Sequence, residues 1–145
     1  GCDVVEFLIS ANVGEDPKPL SKIASGGELS RIMLAIKSVL SDRDKIGTLI
    51  FDEIDTGISG RAAQKVGIQL KNVSRGKQVL CVTHLAQIAA RADSHFYIEK
   101  NVKDGRTYTD ITLLDFEGRK REIARIIGGE LTEQNLISAE EMLNN

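Results

Sequence analysis

One short run constrains this chain more than any other: Thr48-Leu49-Ile50-Phe51, followed at once by the adjacent carboxylates Asp52 and Glu53. It is short and apolar, with Ile46-Gly47 before it and the turn formers Asp55-Thr56-Gly57 after it. That pattern suits a buried strand covered on both faces. In open parallel sheets ligands gather beyond the carboxyl ends of the strands, which is where both acids would stand. The first acid can hold Mg²⁺ through oxygen ligation, and the second can orient or deprotonate a water attacking a γ-phosphate. The plainer alternative is a strand that ends in two solvated acids. Four apolar residues before Asp-Glu do not separate the two readings.

The next stretch supplies a neighbour for that strand. Residues 56–60 read as a loop, with Ser59 as N-cap of a helix running to about Asn72 and Ala63, Val66, Leu70 and Val73 as its core stripe. Ser74-Arg75-Gly76-Lys77 then turns the chain into a second buried strand over residues 78–83, ending at His84. Strand, helix and strand in this order form a βαβ unit with a right-handed crossover and parallel strands. Asp52, Glu53 and His84 are therefore expected on the same edge of one sheet.

Upstream, residues 4–11 are β-rich and read as a strand, followed by a polar loop over 12–19 that holds both prolines. Ser25-Gly26-Gly27-Glu28 then opens a helix over residues 27–40, with Leu29, Ile32, Met33, Ile36, Val39 and Leu40 as its apolar face. Ser25 and Glu28 make an S-x-x-E capping box, which accounts for those two residues. It does not account for the glycines. Each costs up to about 1 kcal/mol against Ala in a first turn, so the pair points to something that approaches the backbone closely. Bare amides at a helix N-terminus favour an anion, phosphate above all. If capping were the whole explanation, Ala at Gly27 would be neutral or slightly stabilising.

Beyond His84 a short helix is expected over residues 85–92, then a hairpin with strands over 94–101 and 107–114 around Lys103-Asp104-Gly105-Arg106. His95, inside the hairpin, reads as structural. Residues 117–121 read as a solvated charged face opening a helix over 122–127, which Gly128-Gly129 stops. Ser138, with Glu141 three residues on, reads as the cap of a last helix. Composition enters where partners are concerned: 19 basic against 21 acidic residues leave a net charge of −2, which selects neither nucleic acid nor membrane. The 145 residues, 41% of them hydrophobic, suffice for one domain with a sizeable core. Cys2 and Cys81 lie far apart, without disulfide or zinc spacing. No apolar run approaches the ~18 residues of a membrane span, and Gly1-Cys2-Asp3 carries no basic signal-peptide start. A soluble protein of the reducing cytoplasm is the expectation.

Taken together, Ile23-Ala24-Ser25-Gly26-Gly27-Glu28-Leu29-Ser30-Arg31, the strand ending in Asp52-Glu53, and Val82-Thr83-His84 resemble the signature motif, Walker B strand and switch histidine of ABC-type ATPases, in that order. Within that superfamily Asp52-Glu53-Ile54-Asp55, and the strings SGGELSRIMLAIKSVL, FDEIDTGISGRAA and VTHLAQIAARAD, resemble the chromosome-maintenance (SMC) and recombinational DNA-repair branch, over residues 4–143. The resemblance implies an α/β fold: the C-terminal lobe of an ABC-type P-loop ATPase head, with a mostly parallel sheet flanked by helices and a C-terminal antiparallel hairpin, as one domain. It implies ATP and Mg²⁺ as cofactors, and action on DNA double-strand breaks from the cytoplasm, at the nucleoid.

By the same resemblance, Ser25, Gly26, Gly27 and Glu28 belong to the motif that meets the γ-phosphate of ATP held by a second head. Asp52 would bind Mg²⁺ through water, Glu53 would polarise the attacking water, and His84 would hydrogen-bond the γ-phosphate. The implied partners are a second head in a homodimer, the chain's own Walker A lobe, and DNA. Two departures stand out. No G-x-x-x-x-G-K-[ST] occurs in the sequence, which places the Walker A lobe and its coiled coil outside this chain and predicts that the chain alone does not turn over ATP. Ser59 stands where many ABC ATPases carry the D-loop aspartate, so the N-cap reading stands beside the functional one. Two other functions compete: a structural clamp head with little hydrolysis, which has no need of Glu53, and a DExx-box helicase, which does not predict the Ser-Gly-Gly-Glu helix. Arg119, Lys120 and Arg121 either touch DNA or form a solvated helix start.

Overall fold

The computed structural model describes residues 1–10, 14–22, 25–40 and 45–145. The chain begins with a minimal antiparallel pair, β1 (Leu8–Ile9) against β2 (Lys18–Pro19). The strand expected over residues 4–11 is thus only two residues long, with Val4, Val5 and Phe7 exposed; its last residue, Ala11, lies outside the described residues, as does most of the start of the following loop. Among the described residues β1 has one two-residue partner and Val4, Val5, Phe7 and Leu8 are exposed, so little holds the segment before it extended.

A single turn of 3-10 helix at Leu20–Lys22 leads towards α1 (Gly26–Val39). The helix lies where the apolar periodicity put it, but its buried face is different. Gly27 and Leu34 are buried, and Val39, Leu29 and Met33 are exposed. Gly27, Arg31, Leu34 and Ser38 share the inward stripe at helical spacing, so the face named from the sequence is offset from the one the sheet covers.

The centre of the fold is the βαβ unit: β3 (Thr48–Phe51), α2 (Gly60–Val73) and β4 (Gln78–Cys81). The strands are parallel and in register from Thr48 opposite Gln78 to Phe51 opposite Cys81, as the strand-helix-strand order requires. Leu49 and Phe51 are buried, whereas Ile50 on the other face is 71% exposed and Leu80 beside it is exposed too. The sheet is therefore covered on one face, not two, because α1, α2 and the segment after β4 all pack on the Leu49 and Phe51 side. Leu34, Leu49, Phe51, Ile54, Leu70, Val73 and Ile88 form this core. In α2, Ala63, Leu70 and Val73 are buried and Val66 packs against the cluster, so its expected stripe is the one observed.

The short α3 (Ala86–Ala89) carries the chain from the first core to a second one. Ala86, Ala89 and Ala90 pack on Ile123, Ala124 and Ala139. Between α3 and those partners comes the hairpin β5 (Phe96–Lys103) and β6 (Arg106–Leu113). Asp104 and Gly105 take positive φ values of 52° and 71°, the conformation that a two-residue turn between right-twisted strands demands. α4 (Phe116–Gly128) and α5 (Glu133–Asn144) close the chain. Asp115 caps α4 through the Gly118 amide at 2.7 Å, and Gly129 ends it with φ 74°.

Two expectations fail here for physical reasons. The basic residues at the start of α4 are not simply solvated. Arg119 donates to the carbonyls of Ala90 at 3.2 Å and Ala92 at 2.6 Å, and Lys120 pairs with Glu140; Arg121 alone stays exposed. The cap of α5 is Thr132, whose hydroxyl accepts from the Asn135 amide at 3.2 Å, and Ser138 lies inside the helix. His95 is half-buried, its carbonyl accepts from the Leu114 amide at 2.9 Å, and its Nδ1 is buried with no hydrogen-bond partner among the described residues.

Candidate functional site

Where β3 ends, the backbone reverses sharply. The Asp52 carboxylate accepts the Glu53 amide through Oδ1 at 2.8 Å, and the Glu53 carbonyl accepts the Thr56 amide at 3.0 Å. Glu53 itself has φ 56°. An L-residue other than Asn, Asp or Gly held there costs about 1–3 kcal/mol, a strain that persists only where the surroundings fix it. The surroundings are the first turns of α1. Ser30 donates its hydroxyl to the Asp52 carbonyl at 2.9 Å, and Arg31 donates through Nη1 to the carbonyls of Ile54 at 3.1 Å and Thr56 at 2.8 Å. In the sequence Ser30 and Arg31 enter only as the end of the string that resembles the signature motif, with no task of their own. Both carboxylates remain exposed.

This contact explains the paired glycines differently from the sequence reading. A Cβ on Gly27 would lie 2.8 Å from the Thr56 carbonyl oxygen, 2.9 Å from that of Glu53 and 3.0 Å from Arg31 Nη1. Gly27 is buried because the turn after β3 rests on it, so Ala there is not neutral. A Cβ on Gly26 would meet only the tip of Glu53, with Oε2 at 2.5 Å. The Glu53 carboxylate thus stands at the N-terminus of α1. The backbone is approached closely, as expected, and the group approaching is the acidic turn of the same chain. Ser25 caps the helix, but at 3.5 Å its hydroxyl is a long acceptor for the Glu28 amide.

Asp55, which the sequence presents as a turn former and as the end of Asp52-Glu53-Ile54-Asp55, organises the second half of the site. It is 3% exposed, the single buried charged side chain among the described residues. One oxygen, Oδ2, accepts from the Thr83 hydroxyl at 2.6 Å and the His84 amide at 2.8 Å, and lies 3.0 Å from His84 Nδ1. Burial pushes the Asp55 carboxyl up, but the bonds from Thr83 and His84 and the charge of the His84 ring outweigh it and hold it below the usual carboxylate range. The Thr83 hydroxyl also accepts the Leu85 amide at 3.1 Å, starting the turn into α3. Cys81 lies close by, its thiol pushed up to about 12 by burial and by the negative charges of Asp55 and Asp52.

The structure therefore links Gly26, Gly27, Asp52 and Glu53 through the turn after β3, and joins His84 to that turn through Asp55. Ser25 and Glu28 flank it on α1. Ser59 stands apart, exposed at the N-cap position of α2, with no side-chain bond to that helix. Among the described residues no three His, Cys, Asp or Glu side chains gather into a metal-binding group. Asp52 offers a single exposed carboxylate, the donor set that suits Mg²⁺ when it keeps most of its waters and takes its other ligands from phosphate.

No protein-family model matches the sequence. Curated relatives do. The chain is 54% identical over 144 residues to the DNA repair protein RecN of Bacillus subtilis (strain 168), covering 99% of this chain and 25% of that protein. It is 52% identical over 144 residues to the DNA repair protein RecN of Treponema pallidum (strain Nichols), with the same coverage. In three dimensions it is similar to the Smc head domain with a coiled coil and joint derived from Pyrococcus yayanosii, with a TM-score of 0.59 and 24% identity over 80% of this chain and 21% of that one. A structure solved for ATP-driven dimerization and DNA stimulated activation of SMC ATPases gives a TM-score of 0.54 and 23% identity, covering 81% of this chain and 70% of that one. These two likenesses concern the fold. No helix among the described residues is long and apolar enough to cross a membrane. The chain spans about a quarter of the length of the curated relatives it matches, and on that sequence identity, with an α/β fold of the SMC-head type, it belongs to the RecN family of DNA repair proteins.

Proposed function

We propose that this chain is the signature and Walker B portion of an ATPase head acting in recombinational repair of DNA double-strand breaks, and that ATP draws two such heads together. The observation that carries this reading is the turn after β3. It exposes Asp52 and Glu53 beside the N-terminus of α1 and ties His84 to the same turn through Asp55. Relatives named as DNA repair proteins support the repair context, and an SMC structure concerned with ATP-driven dimerization supports the pairing of heads.

Each residue then has a task suited to its chemistry. Mg-ATP, when bound, supplies the phosphoryl group and the metal's charge. Asp52 holds the hydrated cation, Glu53 takes the proton of the attacking water, and His84 donates a hydrogen bond to the γ-phosphate. Ser25 and the amides of Gly26 and Gly27 serve a γ-phosphate bound to the second head, where the N-terminus of α1 favours negative charge. The sequence holds no phosphate-cradling P-loop, so the triphosphate requires the Walker A lobe outside this chain. Ser59 takes the D-loop position facing the partner head, and Glu28 completes the motif on α1.

The test is Glu53→Gln in the full-length protein. ATP-driven association should persist while turnover falls at least a hundredfold. Near-normal turnover would remove Glu53 from catalysis. Association without turnover in the unaltered protein would favour the clamp reading.

A further inference from the structure

Asp55 has no assigned role in the reading above, yet it is the one charged side chain among the described residues withdrawn from water. A carboxylate that only stabilised a turn would be satisfied by backbone amides. This one accepts the Thr83 hydroxyl and the His84 amide on Oδ2, and the same oxygen lies 3.0 Å from the His84 ring at Nδ1. An ionised carboxylate only accepts, so a hydrogen bond across the 3.0 Å between His84 Nδ1 and Oδ2 requires the proton on Nδ1 and leaves Nε2 for another partner, on a ring that is 73% exposed. The second bond, to the His84 amide, fixes the backbone from which that ring projects.

We propose that Asp55 is a positioning residue for His84: it fixes the ring's tautomer and direction so that Nε2 points at the anionic group that Asp52 and Glu53 serve. The inference rests on the ATPase reading, which supplies that group. When Nε2 also donates, the ring carries a positive charge, and the Asp55 carboxylate compensates it from behind. The arrangement also couples two strands. Asp55 follows β3 and His84 follows β4, so a shift of either strand end changes the aim of the ring. A neutral side chain of the same shape accepts the backbone amide but neither compels the Nδ1 proton nor compensates the ring's charge.

The experiment uses the full-length protein with ¹⁵N-labelled histidine, the His84 signals being those lost in His84→Gln. In the unaltered protein the ring should be protonated at Nδ1 in its neutral form; a neutral ring protonated at Nε2 overturns the inference without any substitution. Asp55→Asn should abolish that preference and lower kcat for ATP at least tenfold, while KM changes less than twofold and ATP-driven association persists. An Asp55→Asn protein that keeps kcat within twofold, while Glu53→Gln has lost turnover, overturns the positioning role and leaves the ATPase reading intact. Full turnover in Glu53→Gln overturns the ATPase reading instead, and the two failures are thereby distinguished.

Discussion

Gly27 shows how one missing methyl group holds two elements together. With a Cβ only 2.8 Å from the Thr56 carbonyl and 2.9 Å from that of Glu53, Gly27→Ala must push α1 off the turn after β3. Backbone atoms give way less easily than side chains. We expect a loss of about 1–3 kcal/mol in denaturant unfolding, with a smaller loss for Gly26→Ala, whose Cβ meets only the tip of Glu53. A neutral or stabilised Gly27→Ala would show that the contact is not made. Cys81 offers an independent check on the same region. With its thiol pushed up from 9.0 to about 12, it should resist alkylation at pH 8 in the folded chain while the exposed Cys2 reacts at once. The folded state then holds the Cys81 proton more tightly than the unfolded one. Stability from this group is complete below pH 9 and declines as pH rises from there towards 12. Equal labelling of both thiols in the folded chain would contradict the burial. At this scale the sequence was half legible. That Asp52, Glu53 and His84 follow neighbouring strand ends could be read from the order strand, helix, strand, which makes the two strands parallel. Asp55 could not, since its role depends on Thr83 and His84, which approach it only when β4 lies beside β3.

Among the elements, the βαβ unit was readable because parallel pairing follows from strand, helix and strand in sequence. Burial was not. Ile50 and Phe51 are equally apolar, and only the placement of helices on one face decides which is covered. The same limit applies to α1, where Leu34, omitted from the apolar stripe, is the residue that enters the core. Helix caps separate local from tertiary information. Ser138 with Glu141 has the form of a capping box, yet the cap of α5 stands six residues earlier, at Thr132, and the helix it opens carries Leu136 and Ala139 to the second core. Thr132→Ala should cost about 1 kcal/mol in thermal or chemical unfolding, and Ser138→Ala should cost almost nothing. The reverse order would restore the shorter helix.

The whole molecule leaves much apolar surface in water. Ile50, Leu80 and Val82 are exposed around the β3–β4 pair, and Phe96, Ile98, Ile111 and Leu113 on the hairpin. Exposed strand edges and faces of this kind invite pairing with another chain. The isolated 145-residue chain should therefore self-associate in light scattering across a concentration series, to the same extent with and without Mg-ATP; a strictly monomeric chain, or one that dimerises only with ATP, would contradict this. That association is distinct from the proposed ATP-dependent pairing of heads, in which each site would draw residues from two copies. Mixing two inactive full-length variants tests that property most directly. In the proposed reading Ser25→Arg disables the signature motif that a head presents to its partner, and Glu53→Gln disables the head's own catalytic carboxylate. If each site combines Glu53 of one copy with Ser25 of the other, a mixed dimer retains one intact site, and an equimolar mixture should recover roughly a quarter of normal turnover. Turnover no higher than that of either variant alone would contradict the shared site.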